Sequence, residues 1–260
     1  MLVDVHAHLD HIYFSDKLDS VIKRARKNGV KKIITSSVNI PSGKKALEIS
    51  KKYDIVECSL GLYPLDLLGE MPDETGLVRQ IEPLTLDEGL NFIMKNKDRI
   101  LAVGEVGMDF KFSKEEKEQK ENFEKIIKFV EKLKKPIIVH SRNAERECLD
   151  LLESSKLKRV LLHCFSGKKS LIKRGYDLGY YFSVPAVINR LQHFQVLVEL
   201  VDINKLLTET DCPWLSPYLN KKNEPAFVKE AINKISEIKN LNKKEVENII
   251  FMNYQDLFLK

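Results

Sequence analysis

Cysteine is scarce in this chain: there are four in 260 residues, Cys58, Cys148, Cys164 and Cys212, and none forms a Cys-x-x-Cys pair. That spacing indicates neither a zinc ribbon nor a disulfide framework, and it fits a reducing, cytoplasmic setting. No apolar run approaches the roughly 18 residues of a membrane span. The opening MLVDVHAHLD also lacks the basic-then-apolar order of an export signal, so no membrane association is expected. A dominant charge is missing too. The 43 basic and 38 acidic residues leave +5, spread along the chain, which permits a polyanionic partner without demanding one. No linker, low-complexity tract or repeat divides the sequence, so residues 1–260 are expected to form a single domain with no obligate protein partner.

What is present is ordinary for a folded globular chain, with 43% hydrophobic and 31% charged residues. Short β-branched runs recur at 2–8, 32–36, 55–60, 100–104, 136–140, 160–163, 180–184 and 206–210. Between them apolar residues take helical spacing, clearest at Phe123, Ile126, Ile127, Val130 and Leu133, with Lys and Glu filling the intervening positions. A last helix is expected from about Asn242 to Phe258. Near-continuous apolar strands alternating with amphipathic helices imply a parallel α/β sheet covered by helices. Eight such units in a length close to the roughly 250 residues of a (β/α)8 TIM barrel favour that closed form, with an open doubly wound sheet as the alternative. One connection is long: Gly61 to Thr85, with three prolines, between the third strand and its helix.

Four of the six histidines fall at expected strand ends, His6 and His8 on the first, His140 on the fifth and His163 on the sixth. The His-x-His spacing puts both imidazoles on one face of the strand. Glu105 closes the expected fourth strand in AVGEVGMD, and Asp211 the eighth in LLTETDCPW. Imidazoles and carboxylates crowded at one barrel mouth would repel or neutralise one another, whereas a divalent cation makes the cluster favourable. Six donors exceed the three protein ligands of a one-zinc catalytic site and suit two ions about 3.5–4 Å apart with a carboxylate between them. Such a donor set accepts Zn, Mg or Mn. His11 and His193 lie off the strand ends and are expected in surface or packing roles. Arg142, beside His140, is a candidate phosphate clamp or a structural ion-pair partner. Ser166, in a Ser-Gly turn after His163, is a candidate phosphate contact.

The ordered motifs VDVHAHLD, AVGEVGMDF, PIIVHSRNA, LLHCFSG and TETDCPWLSP, with NEPAFV and FMNYQDLF, resemble the TatD-related deoxyribonucleases of the amidohydrolase superfamily. The resemblance spans nearly the whole chain. It implies that His6, His8, Glu105 and Asp211 hold one ion and that Glu105, His140 and His163 hold a second, with Glu105 bridging. Glu105 stands where related amidohydrolases carry a modified lysine. The family's Gly-x-His-Pro reads Gly61-Leu62-Tyr63-Pro64, which makes Tyr63 a candidate substrate contact, and its His-Ser-Arg-Asp ends here in Asn143. The implied activity is metal-assisted hydrolysis of phosphodiester bonds in DNA, with Asp211 and Glu105 as the catalytic carboxylates. A metal-dependent deacylase or amidohydrolase acting on aminoacyl-tRNA or a small ester or amide is the alternative, and a noncatalytic nucleic-acid-binding barrel is a third reading.

Overall fold

The computed structural model describes residues 1–70 and 84–260. Eight parallel strands form one sheet in the order of the chain: β1 (Leu2–Ala7), β2 (Val30–Ser36), β3 (Val56–Leu60), β4 (Ala102–Asp109), β5 (Ile137–Arg142), β6 (Val160–Leu162), β7 (Tyr181–Pro185) and β8 (Leu206–Glu209). The sheet curls until β8 reaches β1, where the Thr208 hydroxyl donates to the Val3 carbonyl at 2.7 Å and the Asp211 N–H to the His6 carbonyl at 2.9 Å. Sequential order and this return contact identify the barrel and exclude the open doubly wound sheet. The helices are α1 (Leu18–Lys27), α2 (Ile40–Lys52), α3 (Pro64–Leu67), α4 (Leu86–Lys95), α5 (Glu116–Leu133), α6 (Glu145–Glu153), α7 (Lys169–Asp177), α8 (Gln192–Leu200), α9 (Lys229–Lys239) and α10 (Lys243–Phe258).

Local chemistry explains where these elements start and which faces they hide. Asn39 and Ser42 form a capping box at α2, and Thr85 and Glu88 form another at α4. Each satisfies N–H groups that a helix start leaves without partners. On α5, Phe123, Ile126, Ile127 and Val130 are buried against the sheet while the Lys and Glu positions face outward. Burying a ring such as Phe123 contributes roughly 2 kcal/mol. At the last helix the Asn242 side chain accepts from the Glu245 N–H at 2.8 Å and starts α10, which lies against β1, β8 and α9.

Two expectations change. The fourth strand was expected to stop at Gly104, yet β4 continues to Asp109, so Glu105 sits inside the strand rather than closing it. Glycine is what lets the strand continue here. A Cβ at Gly107, whose φ is +144°, would overlap the His140 carbonyl oxygen, so β4 and β5 approach this closely only without a side chain. The 61–85 connection is not wholly irregular, because Pro64 starts the short α3; its residues 71–83 lie outside the described residues. No described helix is long and apolar enough to cross a membrane.

Candidate metal centre

Parallel strands point their C-terminal ends to one mouth, and the six expected residues meet there. Glu105 lies at the middle with its two oxygens facing different partners. Oε2 is 3.5 Å from both His6 Nε2 and His8 Nε2. Oε1 is 2.9 Å from His140 Nδ1 and 3.5 Å from His163 Nε2. Asp211 Oδ1 completes the first group, 3.6 Å from His6 Nε2 and 3.3 Å from His8 Nε2, which are themselves 3.2 Å apart. The His6 and His163 rings, one from each group, stack with centroids 3.7 Å apart.

These spacings fit metal binding. Four donors arranged tetrahedrally at about 2.1 Å from an ion lie roughly 3.4 Å from one another. The two imidazole nitrogens of His6 and His8 lie 3.2 Å apart, and the nearest oxygen of Glu105 and that of Asp211 each lie 3.3 to 3.6 Å from both. Glu105, His140 and His163 form a second group on the other oxygen of the same carboxylate. A third set of possible donors, His6, His163 and Glu209, is also close. Glu209, however, already accepts from His163 at 2.9 Å, from the Ser183 hydroxyl at 2.6 Å and from the Cys164 N–H at 3.0 Å. It therefore acts as an orienting carboxylate.

The charges of these side chains also reinforce one another. Burial alone would raise the Glu105 pKa, but hydrogen bonds from His140, His163 and His6 hold it well below the usual carboxylate range. Asp211 is lowered in the same way, burial being outweighed by His8 and by the charges of His163 and His6. Burial disfavours a charged imidazole, yet the neighbouring carboxylates raise His8, His140 and His163, the last strongly. His6 is lowered by burial and by the adjacent His163.

Several supporting residues escaped the sequence reading. Asp109 Oδ2 accepts from His140 Nε2 at 3.0 Å and from the Tyr63 hydroxyl at 2.8 Å. Ser36 Oγ lies 3.2 Å from His6 Nδ1. The buried Asn223 donates to the Thr210 and Leu215 carbonyls at 2.7 and 3.1 Å and so ties down the turn carrying Asp211, whose φ is +55°. Strand alternation relates Asp109 to Glu105 only once β4 is seen to run to Asp109, and it does not relate Glu209 to Asp211, which lies beyond β8 at φ +55°.

The candidate substrate contacts are placed less uniformly. Tyr63 is buried and spends its hydroxyl on Asp109, with its ring 4.9 Å from that of His140. Arg142 stands at the end of β5 with its guanidinium 4.8 Å over the Phe112 ring. Ser166 is exposed and donates to Glu145 at 3.0 Å. His11 and His193 stay outside the cluster: His11 accepts from the Tyr13 N–H at 3.0 Å, and His193 lies 3.1 Å from the Phe165 carbonyl.

Comparison with known proteins agrees along the whole chain. The family model described as TatD related DNase matches residues 3–259. A protein of Methanocaldococcus jannaschii described as an uncharacterized metal-dependent hydrolase is 36% identical over 251 residues, covering 96% of this chain and 94% of that protein. The human deoxyribonuclease TATDN3 is 33% identical over 268 residues, covering 100% of this chain and 95% of that protein. The crystal structure of YJJV, a TatD homologue of Escherichia coli, superposes with a TM-score of 0.87 at 24% identity, over 100% of this chain and 98% of that one, and so shares the fold. With an eight-stranded barrel, a His and carboxylate cluster at its mouth and a family match from residue 3 to residue 259, this chain belongs to the TatD related DNase family of metal-dependent hydrolases.

Proposed function

We propose that this metal-dependent hydrolase cleaves phosphodiester bonds in DNA, with two divalent ions held side by side by His6, His8, Glu105, Asp211, His140 and His163. The observation that carries this reading is the split of Glu105, whose Oε2 faces His6 and His8 while Oε1 faces His140 and His163. One carboxylate shared between two nitrogen groups suits a pair of adjacent ions. When bound, divalent ions acidify water and neutralise charge on phosphate oxygens. DNA as the substrate draws on the names of the relatives, in particular the human deoxyribonuclease.

The chain's own side chains divide the remaining work. Asp211 keeps 17% of its side-chain exposure against 5% for Glu105, so it is the carboxylate open to the mouth. Held ionised by His8, it can orient an attacking water and take its proton. Glu105, enclosed by four imidazoles, stays anionic and keeps the two halves of the site in register. Arg142, at the rim end of β5, supplies a fixed positive charge suited to a phosphate.

The test is Asp211→Asn assayed with Mg²⁺, Mn²⁺ or Zn²⁺ on single- and double-stranded DNA, with aminoacyl-tRNA in parallel. Near-complete loss of DNA hydrolysis is expected, together with loss on chelation and recovery on adding metal. Unchanged hydrolysis by the variant would sink the assignment. Turnover of aminoacyl-tRNA but not DNA would move the same site to ester chemistry.

A further inference from the structure

The chain has one tryptophan, and it stands at the barrel mouth beside the metal centre. The Trp214 backbone N–H donates to the Asp211 carbonyl at 3.0 Å, which closes a tight turn. That turn is fastened on both sides. The His8 N–H donates to the Cys212 carbonyl at 2.9 Å, and Asn223 holds the Leu215 carbonyl at 3.1 Å. The indole therefore keeps one position relative to Asp211 and His8. Its ring meets those of His8 and His11 edgewise, with centroids 5.1 and 5.2 Å apart and an interplanar angle of 76° in both pairs.

A large apolar ring is ordinarily placed for packing. Trp214 does not serve that end. It is half-buried and belongs to none of the apolar clusters of the described residues, whereas its neighbour Leu215 packs against the main core. Its indole N–H makes no hydrogen bond to any described residue. Other rings near the mouth are engaged: Tyr63 is buried with its hydroxyl on Asp109, and Phe112 lies under the Arg142 guanidinium. A broad, firmly held ring outside the core, on the same turn as Asp211, has surface to offer whatever carries the phosphate.

We propose that Trp214 is a stacking platform for a nucleobase of the substrate strand, and that it places the adjoining phosphodiester at Asp211 and Glu105. Every base has an aromatic face, so stacking on an indole holds a strand without reading its sequence. It also needs a base that has left its own stack, so the platform takes single-stranded DNA or a frayed end rather than the interior of a duplex. The inference rests on the DNA-cleaving reading above and adds what grips the strand.

Steady-state kinetics of the full, metal-loaded chain test this with two substrates of equal length, single-stranded oligothymidylate and an oligomer with base-free tetrahydrofuran at every position. In Trp214→Ala, kcat/KM for oligothymidylate should fall about 5–150-fold, mainly through KM. The base-free oligomer should lose less than about threefold, and Trp214→Phe, which keeps an aromatic face, should recover most of the loss. Equal losses on both oligomers, as expected of a ring that only shapes the Asp211 turn, overturn the proposal, and so does no loss on either. A second readout leaves position 214 intact. Because there is one tryptophan, emission reports on this ring alone, and oligothymidylate bound to Asp211→Asn should quench it. Unchanged emission while the anisotropy of a labelled strand shows it bound also overturns the proposal. A wild-type chain that cleaves no DNA removes the reading beneath and this inference with it, whereas one that cleaves DNA with equal losses in Trp214→Ala removes only this one.

Discussion

Asn223→Ala probes the support of Asp211 without touching a metal donor. The side chain is fully buried and makes three hydrogen bonds: Nδ2 to the Thr210 carbonyl at 2.7 Å, Nδ2 to the Leu215 carbonyl at 3.1 Å, and Oδ1 from the Glu224 N–H at 3.0 Å. Alanine removes all three. Leu215 is half-buried, so its carbonyl can turn to water. Thr210 and Glu224 are buried, and each backbone group stranded there costs about 1–3 kcal/mol. A total near 3 kcal/mol follows, equivalent to a fall in Tm of about 6–12 °C for a chain of this size. The Asn223 N–H to Pro213 carbonyl link at 3.1 Å survives, so the segment should loosen rather than detach. Loosening acts on Asp211, and a displacement near 1 Å can lower turnover by about 100-fold. Thermal unfolding followed by circular dichroism at fixed metal concentration, paired with DNA hydrolysis at saturation, measures both effects. A Tm change below about 2 °C with unchanged turnover would refute the reasoning.

Gly61→Ala should be more damaging than its size suggests, because the new Cβ would overlap the backbone N and O of Glu105; expect loss of bound metal by elemental analysis, and overpacking of about 1–3 kcal/mol or more in unfolding experiments. The pH dependence should reverse with metal. Without metal, the raised imidazoles of His8, His140 and His163 stabilise the fold below the unfolded value of 6.5, and that stabilisation is lost as pH rises through their folded values. The lowered carboxylates of Glu105 and Asp211 stabilise above 4.5 and 3.8, so metal-free Tm should peak at mildly acid pH. Protons and metal compete for the same nitrogens, so metal affinity should fall on acidification from above pH 6.5, and Tm of the loaded protein should rise with pH; parallel slopes in the two forms would contradict this. Arg142→Ala should raise KM for DNA by about tenfold and change kcat less, if its charge clamps a phosphate; a kcat loss alone in steady-state kinetics would count against the clamp.

The fold was legible because each strand and helix declares itself locally. Runs such as Ile137–Val139 are apolar without interruption, and α5 keeps a clean stripe from Phe123 to Val130. The donors were legible because histidines are few and fall at strand ends. What supports them was not. Asp109 lies five residues past the strand end expected at Gly104, and it joins the strand because Val106 to Asp109 pair with Val139 to Arg142 of β5. Glu209 stands two residues from Asp211, and nothing in TETD says which carboxylate enters the mouth and which is held by Ser183 and Cys164. Tyr63 reads as a substrate contact until its hydroxyl is seen to meet Asp109, 46 positions away.

The seam between β1 and β8 has a consequence for biosynthesis. His6 and His8 are made with the first strand, but Asp211 follows only after nearly all of the barrel. Asp4, which braces this seam by accepting from Thr210, waits for a partner 206 positions later. A nascent chain cannot assemble the His6, His8, Glu105 and Asp211 set until its last strand has been made and has returned to the first. Early capture of an ion by His6 and His8 would therefore be weak and reversible, and tight loading becomes a mark of a finished molecule.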